Sequence, residues 1–234
     1  MFEDELWDEH RWEAFLLESD RRVDRFMDLF LGFLADCPPP EDGDVKTRRV
    51  WEEKLREFLR EKGFQPDDRS LAFLFEDQSG DKDSSSEDNT PYSDESLFED
   101  DEIESEGIPV EELPIYRQAF DLAAEVLEWA NDLPGEIKDS ALVQFCTHIT
   151  QIPANIAKGH SIGSERDMIG GNIACSKRGL MAANSALVAL RDLKYASYMD
   201  AELYLRFYEL TFEVRNALGL HIQDLRKRFE LGID

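Results

Sequence analysis

The 234-residue chain can hold one large domain or two small ones, and 42% hydrophobic residues is enough to build a core in either case. Against 26 Lys and Arg stand 52 Asp and Glu, a net charge of -26 that sets the molecule as a whole against nucleic acid and anionic membranes. No apolar run approaches the ~18 residues of a membrane span, and Cys37, Cys146 and Cys175, an odd number without a CxxC pair, suit a reducing compartment. The acidic opening Met1-Phe2-Glu3-Asp4-Glu5 is unlike the basic start of a signal peptide, so a soluble, cytoplasmic protein is expected. The acid is unevenly spread. Residues before Pro109 carry 34 acidic and 13 basic side chains, those from Pro109 onward 18 and 13, which assigns the excess to a separable N-terminal half.

From about residue 9 to 35, Trp12, Phe15, Leu16, Val23, Phe26, Met27, Phe30 and Leu34 keep helical spacing, and Cys37-Pro38-Pro39-Pro40 stops the helix. A second amphipathic helix is expected over 46–62, with Val50, Trp51, Leu55, Phe58 and Leu59 inward and Gly63 at its end. Leu71 to Phe75 offers a short helical cap, completing a helical N-terminal region over 1–75. Residues 76–112 hold 16 acidic side chains against the single basic Lys82 and are expected to be a largely disordered linker. Its sparse apolar residues, Tyr92, Leu97, Phe98 and Ile103, leave open a segment that folds on a basic groove.

Residues 113–234 read as four further helices. Pro114 opens the first, marked by Tyr116, Phe120, Ala123, Leu127 and Ala130 and ended before Pro134-Gly135. Asp139 or Ser140 caps the second, whose stripe Leu142, Phe145, Ile149, Ile152 and Ile156 runs through Pro153. That proline removes one ladder bond at a typical cost of ~3 kcal/mol, so a kink is expected, with Gly159 as the stop. Ser164 and Asp167 suggest a capping box for the third, which runs to about Lys194 and carries Gly170, Gly171, Ala174, Gly179, Ala182, Ala183, Ala186 and Ala189. So many interior small residues imply the close approach of another backbone. The fourth spans about 200–229. Short connections between such helices specify an all-α, antiparallel up-and-down four-helix bundle.

The run from Pro114 to Tyr195 resembles a known family. Its marks are the Tyr116-x-x-Ala119 opening, the Leu133-Pro134 turn, the stretch Ile152-Pro153-x-Asn155-Ile156-Ala157-x-Gly159 and the small-residue third helix. These are similar to the four-helix-bundle proteins encoded in intervening sequences of large-subunit ribosomal RNA genes, a family that includes the accessory variability determinant of diversity-generating retroelements. The resemblance implies a homo-oligomeric ring, commonly a pentamer. In the retroelement branch it implies a basic surface for nucleic acid and a reverse transcriptase. The chain departs from the family at Lys158, where glutamate is usual, and in lacking arginines at 145–148 and 160–163.

The residues point to no catalytic constellation. His10, His148, His160 and His221 lack metal spacing, and no phosphate loop or nucleophile elbow occurs. Neither an enzyme nor a cofactor is therefore expected. Lys158, Lys177, Arg178, Arg226, Lys227 and Arg228 are candidate nucleic-acid contacts, although cations in a last turn also complement the helix dipole. The sequence favours an oligomeric interaction or scaffold protein whose acidic N-terminal half recruits or regulates a protein partner. The alternative is a nucleic-acid-binding accessory factor of the retroelement type, which the charge disfavours.

Overall fold

Apolar residues recurring every three or four positions have one regular solution, and every regular element among the described residues is helical. The structure, a computed structural model, describes residues 6–40, 45–64, 109–135, 137 and 139–232. The chain is all-α. The expected cap at 71–75 and the acidic segment at 76–108 lie outside the described residues. Six α-helices are described: α1 (Glu9–Asp36), α2 (Val45–Glu61), α3 (Pro114–Asn131), α4 (Ser140–Ile162), α5 (Ile169–Leu193) and α6 (Ala201–Leu231), with a short 3-10 turn over Val110–Glu112. No described helix is long and apolar enough to cross a membrane.

Two compact units result, one of Met1–Leu16 with Glu102–Asp234, the other of Leu17–Asp101. The expected division kept residues 1–75 together; the structure gives the first two turns of α1 to the larger unit. In the smaller one, Phe26 and Phe33 of α1 pack with Leu55 and Leu59 of α2. Val23 and Met27, expected inward, are exposed, because Phe26 and Phe33 stand two turns apart on the face that meets α2. Trp51 Nε1 donates to the Cys37 carbonyl at 2.9 Å. Gly63, at φ 72°, ends α2 as its spacing implies.

In the larger unit α3 packs on α4 and α6, α4 on α5, and α5 on α6, with the most extensive contact between α4 and α5. Phe145, Ile149, Ile152 and Ile156 of α4 meet Ala182, Ala183, Ala186 and Leu190 of α5 and Phe207, Val214 and Leu218 of α6 in one core. On α3 the buried stripe is Ile115, Ala119, Leu122 and Val126, whereas the expected Phe120 and Leu127 face outward. This helix carries two apolar stripes, and the one with the small Ala119 and Ala123 allows the closer packing. Asp139 caps α4 by accepting from Ala141 N at 2.8 Å, and its other carboxylate oxygen accepts from Tyr198 Oη at 2.6 Å. Burial and that carboxylate push the Tyr198 hydroxyl well above its ordinary range, so it stays protonated and ties the α5–α6 connection to the start of α4.

The structure departs from the sequence pattern on both sides of the α4–α5 turn. The helix does not stop at Gly159; α4 continues to Ile162 and Gly163, at φ 123°, is its cap. Gly159 is buried within the helix, where an added Cβ would lie 2.9 Å from Asn172 Oδ1 and 3.1 Å from both the Asn172 carbonyl and Cys175 Cβ. Its missing side chain serves the crossing of α5, not a turn. Nor does Ser164 open α5: that helix begins at Ile169 behind Met168, with no side-chain cap. Asn172, buried on α5, instead donates to the Gly163 carbonyl at 3.2 Å and so anchors the turn between the two helices. Pro153 and Ile152 are buried in α4, and the Asn155 side chain donates to the Gln151 carbonyl at 2.7 Å, adding a bond beside the one that Pro153 cannot make.

The two glycines of this contact predict opposite responses. Gly159→Ala overpacks the crossing and is expected to lower stability by ~1–3 kcal/mol. Gly179→Ala, whose nearest contacts would be an ordinary 3.5 to 3.7 Å, is expected to raise it by up to ~1 kcal/mol. Urea denaturation of the two variants checks the sign of each.

Candidate functional site

Residues at i, i+3, i+4 and i+7 share a helix face, and Glu9, Trp12, Glu13 and Leu16 do so on the first two turns of α1. Asp8 starts the helix: its carboxylate accepts from Arg11 N at 2.9 Å and its carbonyl from Trp12 N at 3.1 Å. The face lies on α5. The Trp12 ring covers Gly170 and Gly171, where a Cβ would stand 2.9 Å and 3.0 Å from the indole, and on Gly170 would also run into the Trp7 carbonyl. The Gly-Gly pair is thus the seat for this turn of helix, and the close backbone approach expected from the small residues of α5 is here that of Trp7 and Asp8. Leu16, 3% exposed, packs with Ala174 and Cys175, and Trp12 and Ile162 border them.

Beside this apolar floor stand two cations. Arg226 of α6 takes the Glu9 carboxylate in a fork, Nε donating to Oε2 at 2.8 Å and Nη2 to Oε1 at 2.7 Å. Lys177 of α5 donates to the same Oε1 at 3.2 Å and pairs also with Glu13. The Arg226 hydrogen bond outweighs the effect of burial, and with help from Lys177 it lowers the Glu9 carboxyl from its ordinary 4.5 to about 2. Burial opposes the charge on Lys177, but Glu13 and Glu9 more than offset it and raise its pKa.

Of the six basic candidates, the structure therefore unites Lys177 and Arg226, and places a carboxylate of the chain between them. Lys158 and Lys227 are exposed and take no part in the pair, Arg178 is half-buried, and Arg228 reaches the Ser164 carbonyl at 3.5 Å. The family-like residues Ile152, Pro153, Ile156 and Gly159 are buried in helix packing, and Asn155 bonds its own helix. His148 Nδ1 lies 3.3 Å from Gln151 Oε1. Among the described residues no group of His, Cys, Asp and Glu is placed to hold a metal ion. Glu9, Trp12 and Glu13 were the residues to find by pattern: two acids flanking a tryptophan on one face match a helix bearing a Gly-Gly seat and a lysine two turns further on. No family model, curated protein or solved structure matches the chain.

A folded-state carboxyl held below its unfolded value contributes stability that is complete above the unfolded pKa and disappears as pH falls through the folded one. The stability difference between the intact chain and Glu9→Gln is accordingly expected to be constant above about pH 4.5 and to shrink toward zero near pH 2. Denaturant titrations across that range measure it, and a difference that did not fall with pH would contradict the assignment of the Glu9 charge to the Arg226–Lys177 pair.

Proposed function

We propose that the chain is a non-enzymatic interaction protein. In this reading residues 113–234 form an antiparallel up-and-down four-helix bundle of the kind encoded in ribosomal-RNA intervening sequences, and the bundle assembles with copies of itself, a pentamer by that resemblance. The acidic N-terminal half then recruits or regulates a protein partner. The observation that carries the assembly is a partly exposed aromatic ladder on α6. Tyr204, Tyr208 and Phe212 stack at successive turns with ring centroids 6.2 and 6.1 Å apart, and Phe212 is 42% exposed. Arg215 covers the Phe212 ring and donates to Asn184 of α5 at 3.1 Å, and Met181 and Val188 of α5 are also exposed. Apolar surface concentrated in this way is characteristic of a contact surface.

The competing reading, a nucleic-acid-binding accessory factor, needs its cations uncovered. Glu9 and Glu13 occupy two of them, which favours the protein partner. Sedimentation at micromolar concentration is expected to show an oligomer, and Tyr208→Glu to dissociate it; a monomeric intact chain would refute the assembly. In a gel-shift salt series the intact chain is expected to leave RNA and DNA unshifted even at low salt. Binding that weakened steeply with added salt would instead establish the nucleic-acid reading.

A further inference from the structure

The first two turns of α1 sit on α5 and α6 as a ligand sits in a groove. One wall is a cationic clamp: Arg226 and Lys177 converge on a single carboxylate, the bidentate geometry that selects an acid from outside as well as from within. The floor is apolar and stripped of side chains at Gly170 and Gly171, so that it accepts a large aromatic. The present occupant also fits imperfectly, because Trp12 Nε1 is buried there with no acceptor among the described residues.

We propose that this groove is the binding site for an acidic amphipathic helix of another protein, and that residues 6–16 are an internal competitor that keeps it closed. The helix it recognises carries an acid, a large apolar residue three positions on, a second acid at four and an aliphatic residue at seven, the pattern of Glu9, Trp12, Glu13 and Leu16. A phosphate chain would satisfy Lys177 and Arg226, but it leaves the apolar floor uncovered. A second copy of this chain arrives with its own segment already seated, held there at an effective concentration of roughly millimolar, and gains no contact by exchange. A partner helix without a buried, unpaired donor avoids that desolvation cost. The proposal rests on the interaction-protein reading only for the class of partner. The two fail separately, since a monomeric chain refutes the assembly and leaves the groove untouched.

The test uses the full chain and a fluorescein-labelled synthetic peptide of residues 6–20 as the probe. Trp12→Ala combined with Glu9→Gln opens the groove. The peptide is expected to bind the opened chain at least tenfold more tightly than the intact one, and adding Lys177→Glu to the opened chain should remove at least tenfold of that affinity. Cys175 supplies a second readout, because its thiol is buried under Leu16. In Glu9→Gln alone, site-resolved thiol labelling of Cys175 should accelerate severalfold while that of Cys146, on α4 and half-buried against the larger core, is unchanged, a comparison that holds even where the double variant fails to fold. Equal peptide binding to intact and opened chains overturns the proposal, as does equal binding of a scrambled peptide. So do Cys175 and Cys146 labelling that rise together, preferential binding of a short RNA by the opened chain, or self-association of the intact chain that Lys177→Glu abolishes.

Discussion

The approach of α4 to α5 governs what the rest of the larger unit can do. Gly159 brings the α4 backbone against Asn172 and Cys175, and Ala182, Ala183 and Ala186 extend the same closeness along the pair. Tight spacing of this kind converts small side chains into dispersion contacts and makes the crossing intolerant of added volume. It also fixes the rotation of α5 about its axis. With Ala183 and Ala186 turned to the core, Gly170 and Gly171 at the other end of the helix are left as the place where the Trp7 and Asp8 backbone passes. One geometric constraint therefore sets both the core and the seat of the N-terminal turns.

Charge acts on that seat in a second step. The chain carries twice as much acid as base, so half of its carboxylates have no cation of their own, and a surface pair contributes little in any case. Glu9 differs because its side chain is 14% exposed and meets two cations from two helices, one of them in a fork. Removing one member leaves partly buried charge uncompensated, which costs more than the pair itself contributes. The arrangement makes the N-terminal turns specific for their place without making them permanent.

The helices were legible because their causes are local. Apolar spacing, Pro114 at a first turn, Asp139 as a cap and Gly63 as a stop each act within a few residues, and the structure has each in that role. What a glycine is for was less legible. Gly159 has the same letter whether it ends a helix or admits a neighbour, and only the position of Asn172 decides between them. The same holds for α3, where Phe120 and Val126 lie on competing stripes and the choice belongs to α4 and α6. Lys177 and Arg226 were visible as cations. Their convergence on Glu9 was not, because it joins residues 168 and 217 positions apart.

That separation has a consequence in time. A ribosome adding ~5–20 residues per second needs roughly 10 to 40 s to travel from Glu9 to Arg226. Throughout that interval the first two turns of α1 exist without the clamp and floor that receive them, so Trp7, Trp12 and Leu16 must be carried on a nascent chain. The acidic residues interspersed among them, Asp8, Glu9 and Glu13, keep that exposed stretch hydrated and mutually repelling while it waits. The carboxylates that later fasten the segment thus serve first as its protection against aggregation.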